Sequence, residues 1–511
     1  MNAPVQTRAA RGLYGRLGTW LMIVATVALA FVMCVEIINI LFYDPFSDER
    51  FLFRLAGSLS DVSIGPLTYL MFGSLLVALM MGLPLAFVTG GLGVVFIYLV
   101  GDSLMLNIIP SRIFPMMTNS DLAAIPLFIF MAAMLERAGL IEEMFNVVYK
   151  WMGGVGGGLA IATIIASTIL AAMVGVIGAA VVTMGIIALP AMLKRGYDHK
   201  IALGSIMAGG TLGILIPPSI LAILYAVVAQ QSVGELYLGS VVPGLILSGL
   251  YVLYVWVRAK INPDLGPPIP EEDRIGFKDK VLLLKDLLAP LVLVFLVLGL
   301  LFGGIATPVE AAGIGSFGAI LVAMKHKVFT IATLRDASVT TAKASAMVLW
   351  IMFGASVFVG FYILQGGQDF ITESILGTGL PAYGILFLLM VLLVVLGMFL
   401  DWVGILLLAV PIFIPIVEAL EFPGLFGLPG VPGEDVVLWF GVLYLVNMQM
   451  SFLSPPFGYA LFYIRGVCPP EITMGTIFKS SLVFLAIQAL GLFICILIPS
   501  VVTWLPNLVY G

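Results

Sequence analysis

The chain has 511 residues, 61% of them hydrophobic and only 10% charged, with a mean hydropathy of +1.17. Soluble globular domains are about a quarter charged, so this composition excludes a soluble cytosolic enzyme. A net charge of −5 leaves no basic footprint for nucleic acid.

Arg8, Arg11 and Arg16 precede an apolar stretch from about Leu17 to Tyr43. Ala28-Leu29-Ala30 resembles a signal-peptidase site, but the apolar stretch continues beyond it. The reading is an uncleaved first helix with a cytoplasmic N-terminus. The mixed, more acidic segment Asp44 to Asp61 follows as an external loop. Uncharged runs then cover Val62–Gly101, Trp151–Leu193, Ile201–Gly234 and Ser480 to the C-terminus. A spanning helix needs about 20 residues, so several runs hold a helix pair or a long broken helix. The expected fold class is an all-α polytopic membrane protein embedded in a lipid bilayer. Lys194, Arg195 and Lys200 mark a cytoplasmic loop, and the amphipathic stretch from Arg258 to about Leu288 marks another. The Pro-rich portion of that stretch, Pro263 to Pro270, is the one plausible linker. The expected organisation is residues 1–63 as an extra helix and loop, 64–257 as a first half, 258–288 as a linker and 289–511 as a second half.

The two halves echo each other. Pro84, Pro190 and Pro217-Pro218 in the first match Pro308, Pro411 and Pro455-Pro456 in the second, in the same order. The spacing of the last pair is longer by the Pro/Gly-rich insert Glu421–Asp435. Gly175 and Gly178, against Gly397 and Gly404, add helix breakers at matching places. Non-helical backbone inside a bilayer is tolerated only where protein buries it or where it lines a wet cavity. Paired, interrupted apolar segments in two halves therefore point to a transporter's binding site.

Few ionisable residues lie deep in the apolar text. Asp401 is the clearest, with Glu310 and Glu136 weaker candidates; a carboxylate at such depth is a functional candidate by default. Cys34, Cys468 and Cys495 lie in or next to apolar stretches, and His199 and His326 lie in Lys/Arg-rich loops. No transition-metal site is expected from them. No deep Ser–His pair, close carboxylate pair or Gly-Lys-Ser phosphate loop occurs, so neither an enzyme nor an ATP-driven pump is expected. A secondary transporter driven by an ion gradient remains.

Several local sequences carry a resemblance. Leu189-Pro-Ala-Met-Leu-Lys-Arg-Gly-Tyr-Asp198, Gly209-Gly-Thr-Leu-Gly-Ile-Leu-Ile-Pro-Pro-Ser219, Ala306-Thr-Pro-Val-Glu-Ala-Ala-Gly313, Gly397-Met-Phe-Leu-Asp401 and Ser454-Pro-Pro-Phe-Gly458 occur in that order. They resemble the large membrane subunit of TRAP (tripartite ATP-independent periplasmic) transporters, the DctM type. The resemblance runs from about residue 64 to 505, in the branch with an extra N-terminal helix labelled mannitol/chloroaromatic or 2-oxo acid type. It implies an inverted-repeat elevator fold that imports a carboxylate-bearing organic anion with Na⁺ and uses no organic cofactor. The implied partners are a small four-helix DctQ-type subunit and a periplasmic DctP-type solute-binding protein, in the bacterial inner membrane.

Carried onto this sequence, hairpins are expected near Ser120–Gly139, turning at Ile125-Pro126, and near Ala344–Gly367, turning at Phe353-Gly354-Ala355. Broken helices are expected over about 158–193 and 383–417, with breaks at Met173–Ala180 and Gly397–Gly404. One Na⁺ is expected between Val174-Gly175-Val176 and Gly213–Ile216. A second is expected between Gly397/Asp401 and Ser451–Ser454. Ile125, Pro126, Gly178, Gly354, Ala355 and Gly404 form the expected substrate region. Many family members read Ser-Gly-Ser and then Asp through the first break; Val174, Val176 and Ala180 carry no side-chain oxygen here. The first ion then rests on backbone carbonyls or is absent, and H⁺ coupling through Asp401 stays open. The alternatives are a Na⁺- or H⁺-coupled carboxylate transporter that needs no binding protein, and a passive channel or membrane scaffold.

Overall fold

The computed structural model describes residues 62–511 apart from 102, 176, 269, 272, 273 and 457. The expected N-terminal helix, its external loop and the side of the N-terminus lie outside the described residues. The described residues form helices and their links, without a strand. Six helices are long and apolar enough to cross a membrane, or up to eight if each bent pair is one span.

The first half opens with α1 (Ile64–Met80) and α2 (Leu85–Val100), separated at Gly82, which takes a left-handed φ of +83°. Then come α3 (Ile108–Met117), α4 (Ala124–Arg137) and α5 (Leu140–Met152). Next are α6 (Gly158–Val174), α7 (Ile177–Lys194), α8 (His199–Thr211), α9 (Ile220–Ala229) and the long α10 (Val233–Ile261). The second half contains α11 (Phe277–Phe302), α12 (Pro308–Lys325), α13 (Ile331–Leu364) and α14 (Gly367–Leu376). It continues through α15 (Ala382–Gly397), α16 (Trp402–Glu418), α17 (Val436–Leu453) and α18 (Tyr459–Val467) to α19 (Met474–Leu497) and α20 (Ser500–Tyr510).

The halves exchange partners: α2 packs on α13 and α12 on α4, α7 on α18 and α16 on α9, α8 on α19 and α17 on α10. Crossed pairs of this kind arise when two copies of one helix order are related by a two-fold axis. At α2–α13, Gly354 brings the backbones together: a Cβ there would sit 2.6 Å from both the Ala86 carbonyl oxygen and Thr89 Oγ1. Small residues allow such close crossing in membrane bundles.

Neither the expected hairpins nor the expected broken helices take the form the sequence suggests. Residues 344–367 include no turn at 353–355, because α13 is continuous from Ile331 to Leu364. Ile125-Pro126 lies in the first turn of α4, where a proline's missing amide costs no helical hydrogen bond. The bend in that region, 64°, falls earlier, between Met105–Met117 and Asp121–Arg137.

The segments expected as broken helices fold back as hairpins instead. A Cβ on Gly209 would lie 2.9 Å from Ser167 Cβ in α6, and one on neighbouring Gly210 3.1 Å from the Val181 nitrogen in α7. A straight helix would hold Ser167 and Val181 about 21 Å apart, so α7 folds back on α6 after Gly175. The second pair does the same. Asn447 Nδ2 donates to the Met390 carbonyl at 2.8 Å, while Tyr444, one turn away on α17, donates to the Trp402 carbonyl at 3.4 Å. Met390 and Trp402 would be about 18 Å apart along one axis. The true helix interruptions are α8–α9 and α17–α18, each passing through a cis Pro-Pro pair.

Opposite ends of the bundle differ in charge. At one end Arg137 reaches the Asp336 carbonyl and Thr340, His326 meets Glu143 at 3.5 Å, and Lys280 and Trp151 exchange hydrogen bonds. At the other end, Tyr510 donates to the Leu301 carbonyl and Asn507 to Asp435. At the basic end Tyr197, in the α7–α8 link, accepts from the Leu159 amide at 3.1 Å and donates to the Pro267 carbonyl at 2.9 Å. Burial pushes its phenol up to about 12.

Candidate functional site

Both hairpin tips and both helix interruptions meet in one place. A cavity of about 60 Å³ is lined by Gly175, Ile177 and Gly178 from the first tip and by Asp401 and Trp402 from the second. Ile214 from the α8–α9 break and Phe452, Tyr459 and Tyr463 from the α17–α18 break complete it.

Gly175 can make its turn because it has no side chain. Its φ is +60°, and a Cβ would lie 2.8 Å from the Pro218 carbonyl oxygen. The first tip thus rests directly on the first break. Ser219 caps α9 by accepting from the Ala222 amide, while its own hydroxyl donates to the Ile214 carbonyl at 2.6 Å. In the second half Gly397 lies against Ser451, and a Cβ on Gly397 would collide with that side chain. Ser451 donates to the Leu393 and Asn447 carbonyls at 3.4 Å, and Ser454 donates to the Met450 carbonyl at 2.7 Å.

Asp401 occupies the N-cap position of α16 with extended backbone, yet its side chain makes no capping hydrogen bond. Its Oδ2 is buried and has no hydrogen-bond partner. A buried carboxylate oxygen without a donor is costly unless a cation or proton meets it. Among the described residues, no Lys or Arg lines the cavity. Helices α7, α16 and α18 all begin at it, and helix N-termini present free amides and partial positive charge to an anion. The site can therefore hold a hard cation at Asp401 and an anion over the helix starts, with rings available to a solute's apolar body.

The sequence-derived candidates fall at different distances from the cavity. Gly175, Gly178 and Asp401 line the cavity. Gly397, Ser451 and Ser454 lie just behind it, as does Gly213 in the short turn Leu212–Ile214 that packs on α6. Ile216 points away, toward Gly244 on α10. The side chain of Val174, and Val176 altogether, lie outside what is described. Gly354 and Ala355 belong to the α2–α13 contact, Ile125 and Pro126 to α4, and Gly404 faces Leu85 at the start of α2. Those five are not brought to the cavity. Glu310 completes a capping box with Thr307 at the start of α12.

Sequence reasoning missed the aromatic wall. Tyr459 and Tyr463 are one turn apart on α18, with ring centroids 6.5 Å apart, and Phe452 stands 5.8 Å from Tyr459. The only sequence signal is two tyrosines at helical spacing after a Pro-Pro-Phe-Gly helix stop, a pattern that does not separate a cavity wall from core or lipid.

Residues 72–501 match the family model "Tripartite ATP-independent periplasmic transporter, DctM component". The chain belongs to that family. The permease is 30% identical to the C4-dicarboxylate TRAP transporter large permease protein DctM of Vibrio cholerae, over 85% of this chain and 96% of that one. It is also 30% identical to the isethionate TRAP transporter permease protein DctMQ of Oleidesulfovibrio alaskensis, over 86% of this chain and 66% of the longer relative. Among solved structures, the MtrF transporter of Neisseria gonorrhoeae superposes with a TM-score of 0.56 at 12% identity, covering 88% of this chain and 97% of that one. At that identity the likeness concerns the fold alone. The permease is a multi-pass membrane protein, and its relatives are named as transporter permeases.

Proposed function

We propose that this permease imports a carboxylate-bearing organic solute together with Na⁺, the solute being delivered by a periplasmic binding protein. The observation that carries the reading is the convergence of two hairpin tips and two helix breaks on a cavity holding one buried, unpartnered carboxylate oxygen. Na⁺ at Asp401 gives that oxygen its partner, and the starts of α7, α16 and α18 meet the solute's negative charge. The hairpins carry the site past a framework of α2, α4, α12 and α13, an elevator movement. Gly404 against Leu85 is one contact across that boundary. The chain works with a small four-helix membrane subunit in the inner membrane. Its basic end lies in the cytoplasm under the positive-inside rule.

One observation favours a second reading, H⁺ in place of Na⁺. The first tip is Val174-Gly175-Val176, without side-chain oxygen, which leaves Asp401 as the sole carboxylate lining the cavity among the described residues. Uptake in proteoliposomes holding both membrane subunits separates the readings. Na⁺ coupling requires uptake to follow an imposed Na⁺ gradient and to need the binding protein. Uptake that follows a pH gradient alone selects H⁺, and uptake without the binding protein rejects the delivery step.

A further inference from the structure

We propose that the loop Phe422–Asp435 is a docking knob for a soluble protein, with Phe426 as its anchor. The inference rests on the proposed function, which supplies the occupant: the solute-binding protein. The loop has no equivalent in the first half. There α7 and α8 are joined by residues 195–198 alone, whereas α16 and α17 are joined by 419–435.

A long link of this kind is usually loose, but this one is braced. Phe422 is buried, with its ring 5.1 Å from Trp439 and 5.5 Å from Tyr383. Tyr383 donates to the Pro423 carbonyl at 2.7 Å, and the Val431 amide returns to the Phe422 carbonyl at 3.1 Å, closing the loop. At its tip Phe426 is 90% exposed and holds a φ of +53°. A bulky residue in that backbone region is uncommon and is retained only where the surroundings impose it. A braced loop backbone gives up little conformational freedom when its exposed aromatic is buried by a partner, a useful property in an interface anchor.

Charge selects the occupant. Glu421, Glu434 and Asp435 flank the knob, and the neighbouring segments 301–311, 365–383 and 498–511 contain no Lys or Arg. This end lies opposite the basic one, hence outside the cytoplasm under the positive-inside rule. Anionic lipid headgroups are repelled there. A protein with an apolar socket ringed by Lys and Arg is attracted, and its encounter is steered by the acidic surface.

The test uses the permease with its small subunit in nanodiscs of phosphatidylethanolamine and phosphatidylglycerol, titrated with a purified DctP-type solute-binding protein. Phe426→Ala should weaken Kd about ten-fold or more, and Glu421→Lys with Glu434→Lys should slow association and reduce its salt dependence. Lys278→Gln, exposed at the start of α11 on the opposite, basic end, should bind the protein as the parent does. Unchanged affinity in Phe426→Ala overturns the knob while leaving delivery intact, provided uptake still needs the binding protein. No binding by the parent chain overturns both. Phe426→Trp separates protein from lipid: a fluorescence blue shift only on adding the binding protein supports docking. A blue shift already present in the nanodisc alone overturns it in favour of lipid.

Discussion

Replacing Gly175 by alanine tests the tip geometry quantitatively. The residue sits at φ +60° and ψ +10°, a region that costs an L-residue roughly 1–2 kcal/mol. The new Cβ would also stand 2.8 Å from the Pro218 carbonyl oxygen, so tip and break must separate by about half an ångström. Overpacking of that order costs roughly 1–3 kcal/mol, giving a total of about 2–5 kcal/mol. Gly196, in the α7–α8 link, isolates the first contribution: its φ is +75° with nothing within 4 Å of a Cβ. Any change in the unfolded chain is common to both substitutions. Thermal unfolding followed by tryptophan fluorescence in nanodiscs, alongside solute uptake, should show Gly175→Ala shifting the midpoint clearly further than Gly196→Ala and abolishing uptake. Equal shifts with uptake retained in both would refute the contact between tip and break.

Three further outcomes are expected. Asp401→Asn should leave the fold intact and remove the cation dependence of uptake, read from the initial rate against Na⁺ concentration. Gly404→Leu drives a side chain into Leu85 and should slow uptake while sparing cation binding, because it touches the hairpin–framework boundary and not the cavity. Tyr197→Phe leaves the buried Leu159 amide and Pro267 carbonyl without their shared partner and should destabilise by about 1–3 kcal/mol. The raised Tyr197 phenol contributes stability that is complete below pH ~10 and lost as pH rises toward 12. The substitution should therefore reduce the alkaline loss over that window, measured by unfolding midpoints.

The positions of the interruptions were legible because Gly and Pro punctuate helices by definite mechanisms. Gly175, Gly397, Pro217-Pro218 and Pro455-Pro456 all fall at real breaks. The direction the chain takes beyond a break was not legible. A helix that stops at Gly175 can continue or reverse, and the choice is made by distant partners, Gly209 and Gly210 on α8, which accept both arms. Small residues also misled. Gly354 and Ala355 suggest a turn in sequence, yet their smallness serves the α2–α13 crossing inside a continuous helix. The aromatic wall was passed over because a Tyr pair at helical spacing looks the same whether it faces a core, lipid or a cavity.

Equilibrium binding of radioactive sodium to the purified permease most directly tests the claim that the converging tips hold a cation at Asp401. Saturable binding is expected in the parent chain and in Gly404→Leu, and its loss in Asp401→Asn. Saturable binding that survives Asp401→Asn unchanged would contradict it.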